Sequence, residues 1–208
     1  MGAKICAVCC GTEREVTLDC PSDCPWLIAA RRYEEKHPRS LPPREIFFPE
    51  VDVPRDFVLE HEEAMGRLMA FVGQFASANP VLRDSECLDA LKALAETRRT
   101  LQSGIYYERP PAMPLARALY AELTKFVGDL RQSLPASRDL QSLKDSQIFP
   151  LLVFLVRLAG LSMNGRPRSR AFLDYLRQQF AAPASAPSGN ARASTNTSPG
   201  NAPRIIIP

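Results

Sequence analysis

Cysteine is the residue type in this chain whose spacing lends itself to chemistry. Five of the six cysteines lie between positions 6 and 24: Cys6, Cys9 and Cys10 in CAVCCG, then Cys20 and Cys24 in CPSDC. Two closely spaced thiol pairs about a dozen residues apart place four thiolates within reach of one tetrahedral Zn2+ ion, as in a closed structural site. Cys6 and Cys9 enclose two residues, the common spacing of a zinc knuckle, so the expected ligands are Cys6, Cys9, Cys20 and Cys24, around one structural zinc. Cys10 is then a spare thiol with three readings: a buried passenger, a substitute ligand, or a redox-reactive neighbour that opens the cluster under oxidant. His37 is a further candidate donor, although a histidine near a helix end commonly answers the helix dipole.

The elements that position these thiols are legible in outline. Gly11 is expected at a tight backbone turn behind the first pair. Thr12 to Asp19, TEREVTLD, mixes polar and β-branched residues as a short β-hairpin does. Asp23 reads as an N-cap and Pro25 as the first residue of a helix running through WLIAARRYEEKH. Knuckle, hairpin and a last ligand at a helix start together resemble the treble-clef zinc fingers, with a zinc ribbon as the close alternative. The run CxxCCGTxREVxxxCPxDCxxLxxAR, from Cys6 to Arg31, also resembles the amino-terminal signature of uncharacterised bacterial proteins. That resemblance covers the amino-terminal module and implies a metal-binding unit joined to a helical body in a cytosolic protein; it carries no activity and no substrate.

The 208 residues, 45% of them apolar, suffice for one moderate core and a small satellite. The expected fold is mainly α: a treble-clef or zinc-ribbon-like module over residues 1–38, a Pro-rich linker over 39–55 packed on the body, and an α-helical domain over 56–182. A disordered tether over 183–204 and a short apolar element over 205–208 complete it. Met65, Leu68, Met69, Val72 and Ala76 follow a helical stripe. A second helix begins near Asp84 or Ser85, which can cap it, and carries Cys87, Leu91 and Leu94 on one face, which makes Cys87 a core residue. A third runs from Pro114 to Leu134, a fourth follows Asp145 and contains Leu151 to Leu161, and a fifth spans Ser169 to Phe180. The body is thus a bundle of about five helices or a helical-hairpin repeat, the latter suggested by Phe71-Val72-Gly73 recurring as Phe126-Val127-Gly128. In the linker, Ile46, Phe47 and Phe48 are too apolar for a free spacer and are expected to fasten the module to the body.

Charge and missing motifs narrow the function. Residues 1–54 hold seven Lys/Arg against nine Asp/Glu, a balance ill suited to phosphate binding. Arg157, Arg166, Arg168, Arg170 and Arg177 form a local basic cluster, read as a solvated face or, alternatively, a nucleic-acid patch. The chain has two histidines and no Gly-rich phosphate loop, GxSxG, HExxH or dinucleotide fingerprint, so no enzymatic function is expected. No apolar leader precedes Cys6, so reduced thiols in the cytoplasm are expected; the Leu151 to Leu161 run, interrupted by Arg157, falls short of the ~20 residues that cross a bilayer and reads as a buried helix. Ile205, Ile206 and Ile207 follow a polar, proline-rich tract and read as a short strand that docks on this chain or on a partner. The function expected is a zinc-binding adaptor engaging an unidentified protein partner, with a Cys10 redox switch and nucleic-acid binding through Arg157 to Arg177 as alternatives.

Overall fold

The computed structural model describes residues 5–37, 46–133 and 143–180. The tether over 183–204 and Ile205, Ile206 and Ile207 lie outside the described residues. Within them are eight helices: α1 (Ala7–Glu13), α2 (Pro25–Lys36), α3 (Arg55–Glu60), α4 (Glu62–Ala78), α5 (Asp84–Gln102), α6 (Pro114–Ser133), α7 (Asp145–Ser162) and α8 (Ala171–Gln179). Five of them, α4 to α8, form a helical bundle in which α5 lies against α6 and α7 while α4 lies against α8.

Each helix of the bundle turns its apolar stripe inward. Met65, Leu68, Met69, Val72 and Ala76 of α4 are buried, as are Cys87, Leu91 and Leu94 of α5 and Leu119, Leu123 and Val127 of α6. A buried Leu or Val side chain contributes about 1.5–3 kcal/mol relative to exposure, and this stripe is what holds the bundle. The repeated Phe-Val-Gly triplets face each other: the Phe71 and Phe126 rings stack with centroids 4.3 Å apart. Gly73 lets α8 approach, since a Cβ there would lie 3.3 Å from the Leu176 carbonyl oxygen, while Gly128 has open space around it. The two copies therefore share a sequence and not a packing role.

Helix α7 carries Pro150 in its interior. Proline has no N–H for the carbonyl four residues back, and that carbonyl, of Ser146, instead lies 3.3 Å from Nε2 of Gln102 at the end of α5. Among the described residues α7 is the one helix that length and composition alone would allow to cross a membrane. In this fold it is a core helix, with Leu151, Leu152, Val153, Leu155 and Val156 fully enclosed.

The Arg157 side chain on α7 leaves the expected basic cluster altogether. Its guanidinium donates to the carbonyls of Phe47 at 3.0 Å, Phe48 at 2.7 Å and Val51 at 2.7 Å. Phe48 has a left-handed backbone (φ 51°) and is buried, its ring edge-on to Phe149 at 5.7 Å. The Phe47 ring covers Gly160, where a Cβ would come within 2.7 Å of it. Ile46, expected to join them, is 41% exposed.

Asp84 departs from its expected role as an N-cap. Arg83 is the capping residue of α5, with the Glu86 carboxylate returning to its N–H at 3.1 Å. Asp84 sits in the first turn, buried, and its carboxylate serves another helix: it accepts from the Ser169 hydroxyl at 2.8 Å, the Phe172 N–H at 3.3 Å and the Leu173 N–H at 3.1 Å. The Asp84 N–H in turn donates to the Ser169 carbonyl at 3.0 Å. Two orphan amides at the start of α8 are thereby satisfied from α5. Burial pushes the Asp84 carboxyl above its ordinary range, with the bonds from Ser169, Leu173 and Phe172 opposing it.

Asp84→Ala leaves a hydroxyl and two backbone amides without an acceptor, at about 1–3 kcal/mol each, and is expected to destabilise the protein by roughly 3 kcal/mol or more in denaturant unfolding. Because the folded carboxyl binds its proton more readily than the unfolded one, it contributes more stability as pH falls from its raised folded value toward the ordinary carboxylate range. Asp84→Asn is expected to lack that part of the pH slope; an identical slope in variant and wild type would exclude this origin.

Candidate metal and thiol site

The thiols sit on two short helices and the loop between them. Cys6 is the N-cap of α1 and its Sγ accepts the Cys9 N–H at 3.2 Å. Cys10 is half-buried, with Sγ 3.8 Å from Nη2 of Arg14. Cys24 is the N-cap of α2, in place of Asp23, with Pro25 at the first helical position; its carbonyl accepts from the Ile28 N–H at 3.0 Å. Cys20 and Cys24 are half-buried, Cys6 and Cys9 exposed, and all of them are unpaired thiols. Cys87 is buried in the core, which pushes its thiol well above the ordinary range.

The expected β-hairpin is absent. Gly11 lies inside α1, and residues 14–18 form a tight turn closed by an isolated bridge between Arg14 and Leu18. The reason is the end of α1: the Glu13 carbonyl collects the N–H groups of Val16, Thr17 and Leu18 at 3.1, 3.2 and 3.1 Å, so the chain wraps around one acceptor and has no ladder to extend. Among the described residues no three Cys, His, Asp or Glu side chains stand where they could share a metal ion. His37 stacks on Tyr33 at 4.1 Å and its Nδ1 lies 2.9 Å from the Tyr33 carbonyl, so it closes α2.

The pair Cys6 and Cys9 has its own electrostatics. The Cys9 thiol and then the Cys9 N–H hold the Cys6 thiol below its ordinary range. The same contact raises Cys9, helped by slight desolvation and the Glu13 charge.

The residues that sequence reasoning missed are those that attach this segment to the bundle. Arg31 of α2 donates to Asp174 of α8 at 2.6 Å and to Glu15 at 3.0 Å, with all three side chains nearly buried. Asp174 also accepts from Ser22, between the last two cysteines, at 2.8 Å. Burial works against the Arg31 charge, yet Asp174 and then Glu15 outweigh it and hold the guanidinium above its ordinary range. Glu15, in the left-handed region at φ 54°, accepts from Asn164 at 2.6 Å, and its carbonyl accepts the Arg168 N–H at 2.8 Å. Arg168 binds Asp19 at 2.6 Å, and Arg166 donates to the Arg14 carbonyl. Four of the five arginines of the basic cluster are thus engaged in internal bonds: Arg157 on the linker, Arg166 and Arg168 on the cysteine segment, Arg177 on Asp174 at 3.4 Å. Arg170 differs, with Nε and one terminal nitrogen buried without a hydrogen-bond partner among the described residues. Apart from Arg177 and Asp174, which stand three residues apart on α8, none of these partners is spaced periodically with another, so no stripe announced them. The chain matches no family model, no curated protein and no solved structure.

Removing one partner of a buried ion pair costs about 3–5 kcal/mol because the other charges stay buried and unpaired. Arg31→Ala is therefore expected to release the cysteine segment: limited proteolysis should cut within residues 5–37 about a hundredfold faster while far-UV circular dichroism keeps the helical signal. Unchanged cleavage would mean that the segment is held by something other than this clamp.

Proposed function

We propose that residues 5–37 form a structural zinc module and that the protein is a non-enzymatic interaction protein, presenting this module on its helical bundle. The observation that carries the reading is the absence of a core in that segment. Leu27 is its one buried apolar side chain, while Ile5, Val8, Trp26 and Tyr33 are exposed. A unit of this size with so little apolar burial draws its stability from a metal or a similar staple. Cys6, Cys9, Cys20 and Cys24 would hold the ion, with Cys10 as the substitute ligand. The donor set suits Zn2+ in kind, and the Cys9 N–H directed at the Cys6 sulfur favours a thiolate there. Bound zinc supplies folding energy; the treble-clef or ribbon form of the module belongs to this proposal. The exposed Trp26 and Tyr33 lie on one face of α2, and aromatic residues of this kind anchor protein partners.

A second reading, thiol redox control, is favoured by the contact between Cys6 and Cys9. Two exposed thiols at this spacing join as a disulfide by giving up two electrons and two protons to a peroxide or disulfide oxidant. Cys6 then takes the role that the sequence assigns to Cys10, which is half-buried beside Arg14.

Elemental analysis of untagged protein separates the two. One zinc per chain is expected, lost in the Cys20→Ser, Cys24→Ser variant, and chelation should expose residues 5–37 to protease while the bundle stays helical. Folded protein with less than about a tenth of an equivalent of zinc would overturn the zinc reading.

A further inference from the structure

A groove of about 240 Å3 opens between α4 and α6, lined by Arg67, Ala70, Phe71, Gln74, Phe126, Asp129 and Leu130. Phe71 and Phe126 are part-buried and stacked on each other, so the lining is largely apolar. Its charged edges differ: Arg67 is paired with Glu63 at 2.7 Å, whereas the Asp129 carboxylate has no ion pair or hydrogen bond with a described side chain.

The path of α8 indicates what reaches it. Phe172 and Leu173 are held at Asp84, just beyond the end of α4, and Leu176 lies against Gly73 further back. Helix α8 therefore runs antiparallel to α4. At ~1.5 Å per residue along both axes, the end of α8 at Gln179 falls level with Ala70, a groove residue. The chain leaves the described fold at the height of the groove along α4. The tract that follows is rich in Pro, Ser, Ala and Asn up to Pro203, and its one run of large aliphatic residues is Ile205-Ile206-Ile207, preceded by Arg204. A tether of this length has a typical reach of about 25–30 Å, enough for a site at the same height on the bundle, and it keeps the run at roughly millimolar local concentration. The described residues contain no sheet edge, so a strand-type docking of the isoleucines finds no acceptor there.

We propose that Arg204 to Ile207 of the same chain seats in the α4–α6 groove, the isoleucines covering Phe71, Phe126 and Leu130 and the Arg204 guanidinium meeting Asp129. Aliphatic side chains supply the affinity by burial, and the charge pair fixes the direction of entry. The groove is thereby closed to other ligands until a competing aliphatic segment displaces the tail. This occupancy is independent of the metal reading.

The test is photo-crosslinking in the full-length chain, with a benzophenone amino acid in place of Ile206. Expected is an adduct at monomer mass, mapping to the peptides of residues 67–74 or 126–130, and reduced about tenfold by Ala70→Glu, which places a carboxylate in the groove, with an unchanged thermal unfolding midpoint. An Asp129→Asn variant should reduce it less. A groove adduct found only at dimer mass would overturn self-docking in favour of exchange between copies. Adducts elsewhere, or none, would overturn the assignment of the groove.

Discussion

The carboxylate of Asp84 is buried where two helices begin, and the rest of the arrangement descends from it. Its own N–H belongs to α5 and donates to the Ser169 carbonyl, while its oxygens take the Ser169 hydroxyl and the first amides of α8. This reciprocal ring sets where α8 starts and in which direction it runs. A buried carboxylate is costly unless fully bonded, and here each donor at the α8 start supplies part of the compensation. Helix α8 carries Asp174, which holds Arg31 and Ser22. The position of the cysteine segment is therefore inherited from a hydrogen-bond ring in the bundle, through one short helix.

How much of this was legible in the sequence depended on whether periodicity carried it. Helices α4 to α8 could be read because burial repeats along a helix, and Met65, Leu91 and Leu123 fall on the expected faces. Cys87 was legible for the same reason. The caps were not. Asp84 stands where a capping residue should, and its side chain bonds to a helix starting some ninety residues later; Cys24 takes the cap expected of Asp23 because the chain turns one residue later.

The amino-terminal segment was misread where local preference and tertiary demand diverge. Val16 and Thr17 favour strands, yet the Glu13 carbonyl gathers the following amides into a turn and Glu15 is drawn inward to Arg31. The partners of Glu15 and Arg31 on the bundle are Asn164 and Asp174, and nothing in either local sequence marks the pairing. The arginines escaped the sequence reading for the opposite reason. Their clustering was visible, but the acceptors of Arg157 and Arg166 are backbone carbonyls of Phe47, Phe48, Val51 and Arg14, which any sequence would offer, and that of Arg168 is Asp19, far off in the chain.

The attachment of the module differs in kind from the cohesion of the bundle. The bundle is held by enclosed apolar side chains, which salt leaves largely alone; the module is held by guanidiniums and carboxylates, whose attraction depends on their exclusion from water. Such a joint has an opening free energy below that of global unfolding, and its bonds lie among the thiols themselves. Ser22 stands between Cys20 and Cys24, Asp19 precedes Cys20, and Arg31 lies on the helix that Cys24 caps. Gathering Cys20 and Cys24 with Cys6 and Cys9 around one ion would move the Asp19 to Cys24 loop, and that loop cannot move without disturbing its bonds to Asp174 and Arg168. The geometry of Cys20 and Cys24 is thus tied to the clamp that joins this segment to the bundle, through Ser22 and Asp19 beside them and Arg31 on the helix that Cys24 caps.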